Sequence, residues 1–143
     1  MAWNIHLDIE PRGKGSVLVS RRGGFAKAYT APKDREWSRR AVALLKAKWG
    51  SRPTLTGPLA VKVVTFKKRP QRLNRKKDPE EPMWCDTKPD VDNCLKLLCD
   101  AITHAGIWED DRLVVDVHAR TLWAAKNAPP SIFLEIRDVS TLT

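Results

Sequence analysis

Residues 88–111 read KPDVDNCLKLLCDAITHAGIWEDD, and the predicted fold follows from this stretch. Its apolar residues with helical spacing are Val91, Leu95, Leu98 and Ile102. Positions i, i+4, i+7 and i+11 form one stripe along an α-helix, and such a stripe is normally buried. We therefore predict a helix over residues 90–105, ended by Gly106, with this stripe facing the core.

The same helix carries a charged face. At 100° per residue, Asp92, Lys96 and Asp100 fall within about 80° of one another on the helical wheel, roughly a quarter-turn from the apolar stripe. Asp90 follows a proline and lies at or before the N-cap, so its direction need not follow the wheel. This helix therefore has a polar face that cannot be its core face.

A second acidic cluster, Glu109-Asp110-Asp111, follows the helix closely. Because a glycine ends the helix and reverses the chain, we expect the next strand to return beside it, which would bring Asp111 near Asp90 and Asp92. Converging carboxylates repel each other unless one is protonated or a cation lies between them. Carboxylate oxygens suit Mg²⁺ or Mn²⁺ better than Zn²⁺. The pattern thus indicates a divalent-metal site.

Simpler interpretations of these residues stay open at this point. Asp90 could serve only as an N-cap, and Asp92 only as a partner of the helix dipole. Asp92 and Lys96 could form only an i,i+4 pair worth about 0.3–0.5 kcal/mol. With a metal ion present, the same residues would act on a phosphate. The ion would activate a water molecule, and Lys96 would steady the phosphate or the leaving oxygen.

The remaining elements follow from period-2 and helical patterns and from turn residues. We predict strands over residues 3–9, 59–66, 113–121 and 132–136 and a further helix over 33–48. Residues 10–32 are predicted to be mainly a loop that carries basic residues, with a possible short strand at 17–19, and residues 123–130 a turn. The order β-α-β-α-β-β indicates an α+β fold with two main helices packed on a mixed sheet. We expect residues 1–143 to form a single domain.

The charge of the chain is divided unevenly. Lysine and arginine total 26 and aspartate and glutamate 17, for a net charge of +9. Residues 1–80 hold 20 basic and 6 acidic residues, whereas residues 81–143 hold 6 basic and 11 acidic ones. The basic part indicates a polyanion partner, most plausibly nucleic acid. Since the acidic part repels that partner, a bound divalent cation would reconcile the two.

The densest basic run lies in a long, proline-interrupted loop that we predict over residues 67–88. Its cations are Lys67, Lys68, Arg69, Arg72, Arg75, Lys76 and Lys77, with Arg21 and Arg22 as a second, weaker patch. We expect them to contact DNA phosphates, and a solvated loop is the alternative. If about five contacts form, log K falls with log salt at a slope near −4.5. Trp84 and Leu73 are candidates for insertion between bases.

The sequence also limits where the chain works. No apolar run reaches the length of a spanning helix, and the start MAWNIHLD does not resemble a secretory signal. Three cysteines without CxxC spacing argue against a disulfide framework. We expect a cytoplasmic protein with no membrane partner.

Residues 88–117 resemble the RusA family of Holliday-junction resolvases. The family pattern is Pro-Asp-x-Asp-Asn-x-x-Lys, then an Asp-Ala pair, then a Trp shortly before Asp-Asp, and this stretch contains each part. The resemblance implies a RusA-like fold and a homodimeric, Mg²⁺-dependent endonuclease, bacterial or phage-encoded, that cuts four-way DNA junctions; Mn²⁺ would substitute, and no organic cofactor is implied. The long loop is longer and more charged than in the shortest members, so its DNA path does not carry over.

By position, the resemblance implies that Asp90, Asp92 and Asp111 are metal ligands and that Lys96 is an essential lysine. Asp100 and Asp110 also match acidic positions of the family. We expect Asp100 to hydrogen-bond within the fold and Asp110 to contact a metal ligand rather than the metal itself. Water would attack the phosphorus in line and leave 5′-phosphate and 3′-hydroxyl ends. Two alternatives remain, namely a related nuclease acting on flaps or forks, and a branched-DNA-binding protein without catalysis.

Overall fold

Two helices lie on one face of a mixed β-sheet in the computed structural model, which describes residues 1–15, 18–20, 22–24, 26–29 and 32–140. The predicted α+β class is confirmed. Within the described residues, no helix is both long enough and apolar enough to span a membrane.

The elements alternate in the predicted order, with three short strands added. The strands are β1 (Ala2–Leu7), β2 (Leu18–Ser20), β3 (Lys27–Tyr29), β4 (Leu59–Lys67), β5 (Met83–Trp84), β6 (Val114–Trp123) and β7 (Ser131–Asp138), and the helices are α1 (Pro32–Trp49) and α2 (Val91–His104). One sheet has the order β1-β7-β4-β6-β5, and β2 and β3 form a separate hairpin. β4 and β6 are parallel because α2 carries the chain back between them.

The core lies between the helices and one face of the large sheet. Ile5 of β1 and Val63 of β4 both pair with Leu134 of β7, and all three side chains are buried on this inner face. Ala41 and Leu45 of α1 cover them with no exposed surface. The alternation of apolar and polar residues along the strands therefore puts one face in the core and leaves the other, the outer face, to solvent.

The buried surface of α2 is wider than the predicted stripe. Leu98 and Ile102 are buried as predicted, but Leu95 is only partly buried and Val91 is 40% exposed. The helix packs against both α1 and the sheet, so residues beside the predicted stripe are buried too. Val91 belongs to the first turn, where it lines an open cleft rather than the core. The prediction was wrong for this residue.

The loops are more structured than predicted. The described part of residues 10–32, expected to be mainly a loop, contains the hairpin of β2 and β3. The loop after β4 contains a short 3₁₀ turn at Gln71–Leu73 and the two-residue strand β5. In β6, a register shift pairs Val114 and Asp116 with successive residues of β4, and Val115 between them is unpaired there and 64% exposed.

Candidate active site on helix α2

The acidic face of α2, formed by Asp92, Lys96 and Asp100, lies on the solvent side of the helix. Asp92 and Lys96 are exposed, and Asp100 is partly exposed. The Lys96 ammonium lies 3.9 Å from a carboxylate oxygen of Asp92. The charged face predicted from the helical wheel is therefore present, and its groups are open to a ligand from solvent.

Asp90 occupies the N-cap of α2 without acting as a side-chain cap. Its backbone is extended, its carboxylate makes no capping hydrogen bond, and its main-chain carbonyl accepts from the Cys94 amide at 3.1 Å. Asp90 is exposed. Because the helix does not use this carboxylate as a cap, both of its oxygens remain available as ligands.

The acidic turn after α2 brings two carboxyl groups together. The Asp110 carboxylate accepts a hydrogen bond from the Arg112 amide at 2.9 Å, and this bond lowers the pKa of Asp110. A hydrogen bond to Asp110, slight desolvation and the nearby charges of Asp110 and Asp100 raise the pKa of Asp111, which is exposed. This excess of negative charge is what a bound cation would relieve.

The structure does not bring Asp90, Asp92 and Asp111 into one group. Asp111 lies beside Asp100, and eight residues of helix separate Asp100 from Asp92, which is about 12 Å along the axis. Among the described residues, no three His, Cys, Asp or Glu side chains are close enough to hold a metal ion together. The expected approach of the three carboxylates is thus not present here, and their role as ligands stays a prediction.

Lys14 is a site residue that the sequence analysis missed. Its ammonium donates to the Asp100 carboxylate at 3.0 Å. The positive charge of Lys14 also opposes the rise in the pKa of Asp111 and offsets part of it. Its amide donates to the Asn93 carbonyl at 3.2 Å, and a side chain at Gly13 would collide with Pro89. The N-terminal segment therefore lies against α2 and places a second lysine beside the acidic face.

That N-terminal segment is fixed from the other side by α1. The buried Asp34 carboxylate accepts from Arg12 Nε at 2.6 Å and from the Gly15 amide at 3.0 Å. Trp37 Nε1 donates to the Glu10 carbonyl at 2.7 Å. Both helices thus hold the segment that carries Lys14.

Lys67, predicted to contact DNA, is buried instead. It is 6% exposed, and its ammonium donates to the carbonyls of Thr87 and Pro89 at 3.0 and 3.1 Å. The ammonium also lies 5.8 Å from the centre of the Trp123 ring, within the range of a cation–π contact. Lys67 therefore holds the segment that leads into Asp90 and does not present its charge to a phosphate.

Arg69 is the second predicted DNA contact that proves to be buried. It is 7% exposed, and its guanidinium donates to the carbonyls of Leu73, Pro79, Glu81 and Ala124. The first three of these carbonyls belong to the loop that follows β4. Arg69 thus fixes the path of the loop from inside, and its charge is used within the fold.

The other cations of the loop face solvent. Lys68, Arg72, Arg75, Lys76 and Lys77 are exposed. The Arg75 amide donates to the Asp78 carboxylate at 2.8 Å, and this bond lowers the pKa of Asp78. Arg21 lies outside the described residues, and Arg22 is described only as part of the turn Arg22–Gly24. We define the basic loop as residues 68–82, with these five exposed cations at its surface.

The two candidates for insertion between bases differ in exposure. Leu73 is half-buried in the 3₁₀ turn, whereas Trp84 is 69% exposed. Leu73 therefore has less apolar surface available for insertion between bases than Trp84 has.

Comparison with known proteins places the chain in a family. The family model described as endodeoxyribonuclease RusA matches residues 8–137. The chain is also similar to the uncharacterized protein YqaN of Bacillus subtilis (strain 168), at 29% identity over 136 residues, which covers 92% of each chain. The matched residues include the whole acidic face and the acidic turn.

The fold is of the α+β class, and an exposed acidic face in a basic chain suits a nuclease. The chain belongs to the RusA endodeoxyribonuclease family, whose members act on branched DNA and generally depend on a divalent metal.

Proposed function

We propose that this protein resolves four-way (Holliday) junctions by paired, symmetric nicks that depend on Mg²⁺, as a step of DNA recombination and repair. The observation that carries the proposal is the exposed acidic face of α2, which stands in a chain of net charge +9 and within the residues matched to RusA. A DNA-binding protein without catalysis has no need of such a face, because its charge repels the phosphate backbone.

The chemistry of the donors fits a hard divalent cation. Asp90, Asp92 and Asp111 offer exposed carboxylate oxygens, which are the ligands that Mg²⁺ and Mn²⁺ prefer. The pKa of Asp111 is raised first by its hydrogen bond with Asp110 and then by desolvation and by the charges of Asp110 and Asp100, and a cation would compensate these charges. When bound, such an ion supplies an activated water molecule and stabilises charge on the phosphate.

The lysines on either side of the acidic face complete the proposed chemistry. Lys96 would donate to a phosphate oxygen or to the 3′ oxygen as it leaves, and Asp92 holds its ammonium nearby. Lys14 would donate to a backbone phosphate at the Asp100 end of the face. In-line attack of water would then break the bond to the 3′ oxygen, leaving 5′-phosphate and 3′-hydroxyl ends.

The shape of the DNA and the positions of its phosphates, rather than its base sequence, would determine which substrate is bound. The exposed cations of the basic loop would contact phosphates, with Arg21 and Arg22 as a second contact. A homodimer would place two active sites on a substrate with matching twofold symmetry. We propose that residues 1–143 act as one nuclease domain, in the cytoplasm of a bacterium or of a phage-infected cell.

A substrate panel tests this proposal. The protein is incubated with a labelled four-way junction, linear duplex, a flap and a fork, each with Mg²⁺ or with EDTA. We expect paired nicks on the junction alone, lost with EDTA. Equal cutting of all branched forms would keep the chemistry but remove the junction specificity, and binding without cleavage under Mg²⁺ and Mn²⁺ would identify a non-catalytic protein.

A further inference from the structure

An exposed tryptophan lies beside the acidic site. Trp84 is 69% exposed, in contrast to Trp108 and Trp123, which are buried. Its backbone is fixed, because Trp84 pairs with Leu122 in the sheet and the next amide, of Cys85, donates to the Thr121 carbonyl at 3.1 Å. An indole ring held on a strand and left in water offers a fixed aromatic face to a ligand.

Two flat polar side chains continue the surface of Trp84 along the outer face. The Arg120 guanidinium lies 6.0 Å from the centre of the Trp84 ring. Arg120 Nε in turn donates to His118 Nε2 at 3.2 Å. Arg120 and His118 are exposed. Trp84, Arg120 and His118 therefore form an ordered strip, which carries the charge of Arg120 and leaves most of the Trp84 indole exposed to solvent.

The strip opens into the cleft that contains Asp90. Trp84 and Arg120 line a cleft of about 320 Å³ together with Asp90, Pro89 and Val91. Cavities for small ligands occupy roughly 300–1,000 Å³, so this cleft suits a flat group of modest size. Whatever occupies it lies within the same cleft as a predicted metal ligand.

We propose that Trp84, backed by Arg120, is a stacking site for an unpaired nucleobase next to the phosphate that is cut. This inference rests on the proposed function, because it assigns the base to the substrate of the acidic site. Every base has an aromatic face, so stacking on an indole is tolerant of sequence, and a neighbouring guanidinium adds a cation for the phosphate. At a branch point, bases have already lost part of their normal stacking, which lowers the cost of turning one into the cleft.

The strip fits a base better than a second protein chain. It combines one aromatic ring with the Arg120 guanidinium in a chain of net charge +9, whereas protein interfaces are depleted of charge at their centre. A second exposed aromatic residue, Phe133, is 44% exposed on the outer face, but its ring lies tilted against that of His6 at 6.2 Å between centres, and it does not line the Asp90 cleft. Phe133 therefore provides a matched control.

The test compares Trp84→Ala, Trp84→Phe and Phe133→Ala in the full chain. Each variant is titrated with a four-way junction and with single-stranded DNA that carry 2-aminopurine, in Ca²⁺ so that binding is measured without cleavage. Removing one aromatic stacking partner costs about 5- to 150-fold in affinity, so we expect about tenfold weaker binding for Trp84→Ala. The 2-aminopurine quenching should also be lost, while Trp84→Phe retains most of both and Phe133→Ala matches the wild type.

The salt dependence separates stacking from phosphate contact. Because an indole neutralises no phosphate, the slope of log K against log salt should be the same for Trp84→Ala and wild type. Binding by Trp84→Ala within twofold of the wild type, unchanged 2-aminopurine quenching, or a change in oligomeric state by sedimentation would overturn the inference. Wild-type protein that quenches 2-aminopurine through Trp84 but cuts no junction with Mg²⁺ would refute the proposed function and leave the stacking site intact.

Discussion

Lys67 and Arg69 lie two residues apart and serve different regions of the molecule. Both are buried cations, and within the described part of the chain their hydrogen bonds go to main-chain carbonyls. Lys67 holds residues 87–89, which lead into Asp90 and the acidic face. Arg69 holds the basic loop, whose other cations face solvent. A buried cation thus positions each region, one that we assign to cleavage and one that we assign to binding. Mutation of one cation should therefore affect its own region and not the other.

The largest effect is expected at the acidic face. We predict that Asp92→Asn lowers the rate of junction cleavage by more than about 100-fold, since even groups that only support metal ligands cost 10–100-fold when removed. Junction affinity should be kept, because the substitution removes no cation. Single-turnover cleavage and gel-shift titration measure the two quantities. Asp116→Asn, at an exposed aspartate of the outer face, is the control and should cut normally; equal loss in both variants would contradict the assignment.

The next effect separates the two buried cations. We predict that Lys67→Met weakens Mn²⁺ binding and cleavage by about 10–100-fold, because residues 87–89 lose the ammonium that positions Asp90. Arg69→Met should leave Mn²⁺ binding unchanged. Isothermal titration with Mn²⁺ measures both variants, and Lys67→Arg should restore part of the affinity.

Hydrogen exchange locates the effect of each substitution. Lys67→Met should speed amide exchange over residues 85–94 only, and Arg69→Met over residues 70–82 only. Faster exchange across the whole chain in both variants would mean that the two cations stabilise the fold generally, and the distinction between the regions would not hold.

A smaller effect is expected from the exposed cations. We predict that Lys76→Gln with Lys77→Gln reduces the slope of log K against log salt by about 1.8, at about 0.9 for each phosphate that the variant no longer neutralises. The cleavage rate at saturating protein should not change. Lys46→Gln with Lys48→Gln removes the same charge from exposed positions in the last turn of α1 and should leave the slope unchanged. Equal changes in the two pairs would mean that net charge alone drives binding.

The smallest effect concerns the turn that Asp78 closes. The Arg75 amide lowers the pKa of Asp78 below its ordinary value of 3.8, so the charged carboxylate stabilises the fold above pH 3.8, and this contribution is lost as the pH falls through the lowered pKa. Asp78→Ala should therefore unfold at a slightly lower temperature than wild type at pH 7, and the difference should shrink toward pH 3. A difference that grows on acidification would contradict this sign.

Patterns in the sequence predicted those features that depend on residues close together in the chain. The α+β order, both helices and the charged face of α2 follow from period and spacing within short windows. Lys14 could not be found in this way, because its partner Asp100 lies 86 positions further along the chain and the two meet only in the folded structure. The separation of Asp111 from Asp92 likewise depends on where the chain re-enters beside α2.

The burial of Lys67 and Arg69 did have a sequence signal. The inner face of β4 is formed by alternate residues, among them Val61, Val63 and Thr65, and the same period of two continues to Lys67 and Arg69. The density of positive charge in residues 67–77 led to a prediction of phosphate contacts for all of them. Periodicity, followed past the apolar part of the strand, distinguishes the inward cations from the outward ones.

We propose that cleavage and binding belong to different regions of this chain. The most direct measurement places Asp92→Asn and the double substitution Lys76→Gln, Lys77→Gln side by side on one four-way junction, with affinity in Ca²⁺ and single-turnover cleavage in Mg²⁺. We predict a crossed result, in which Asp92→Asn binds normally without cutting, and the double variant binds more weakly but cuts at the wild-type rate when saturated. Loss of affinity and of cleavage in parallel in both variants would contradict the account.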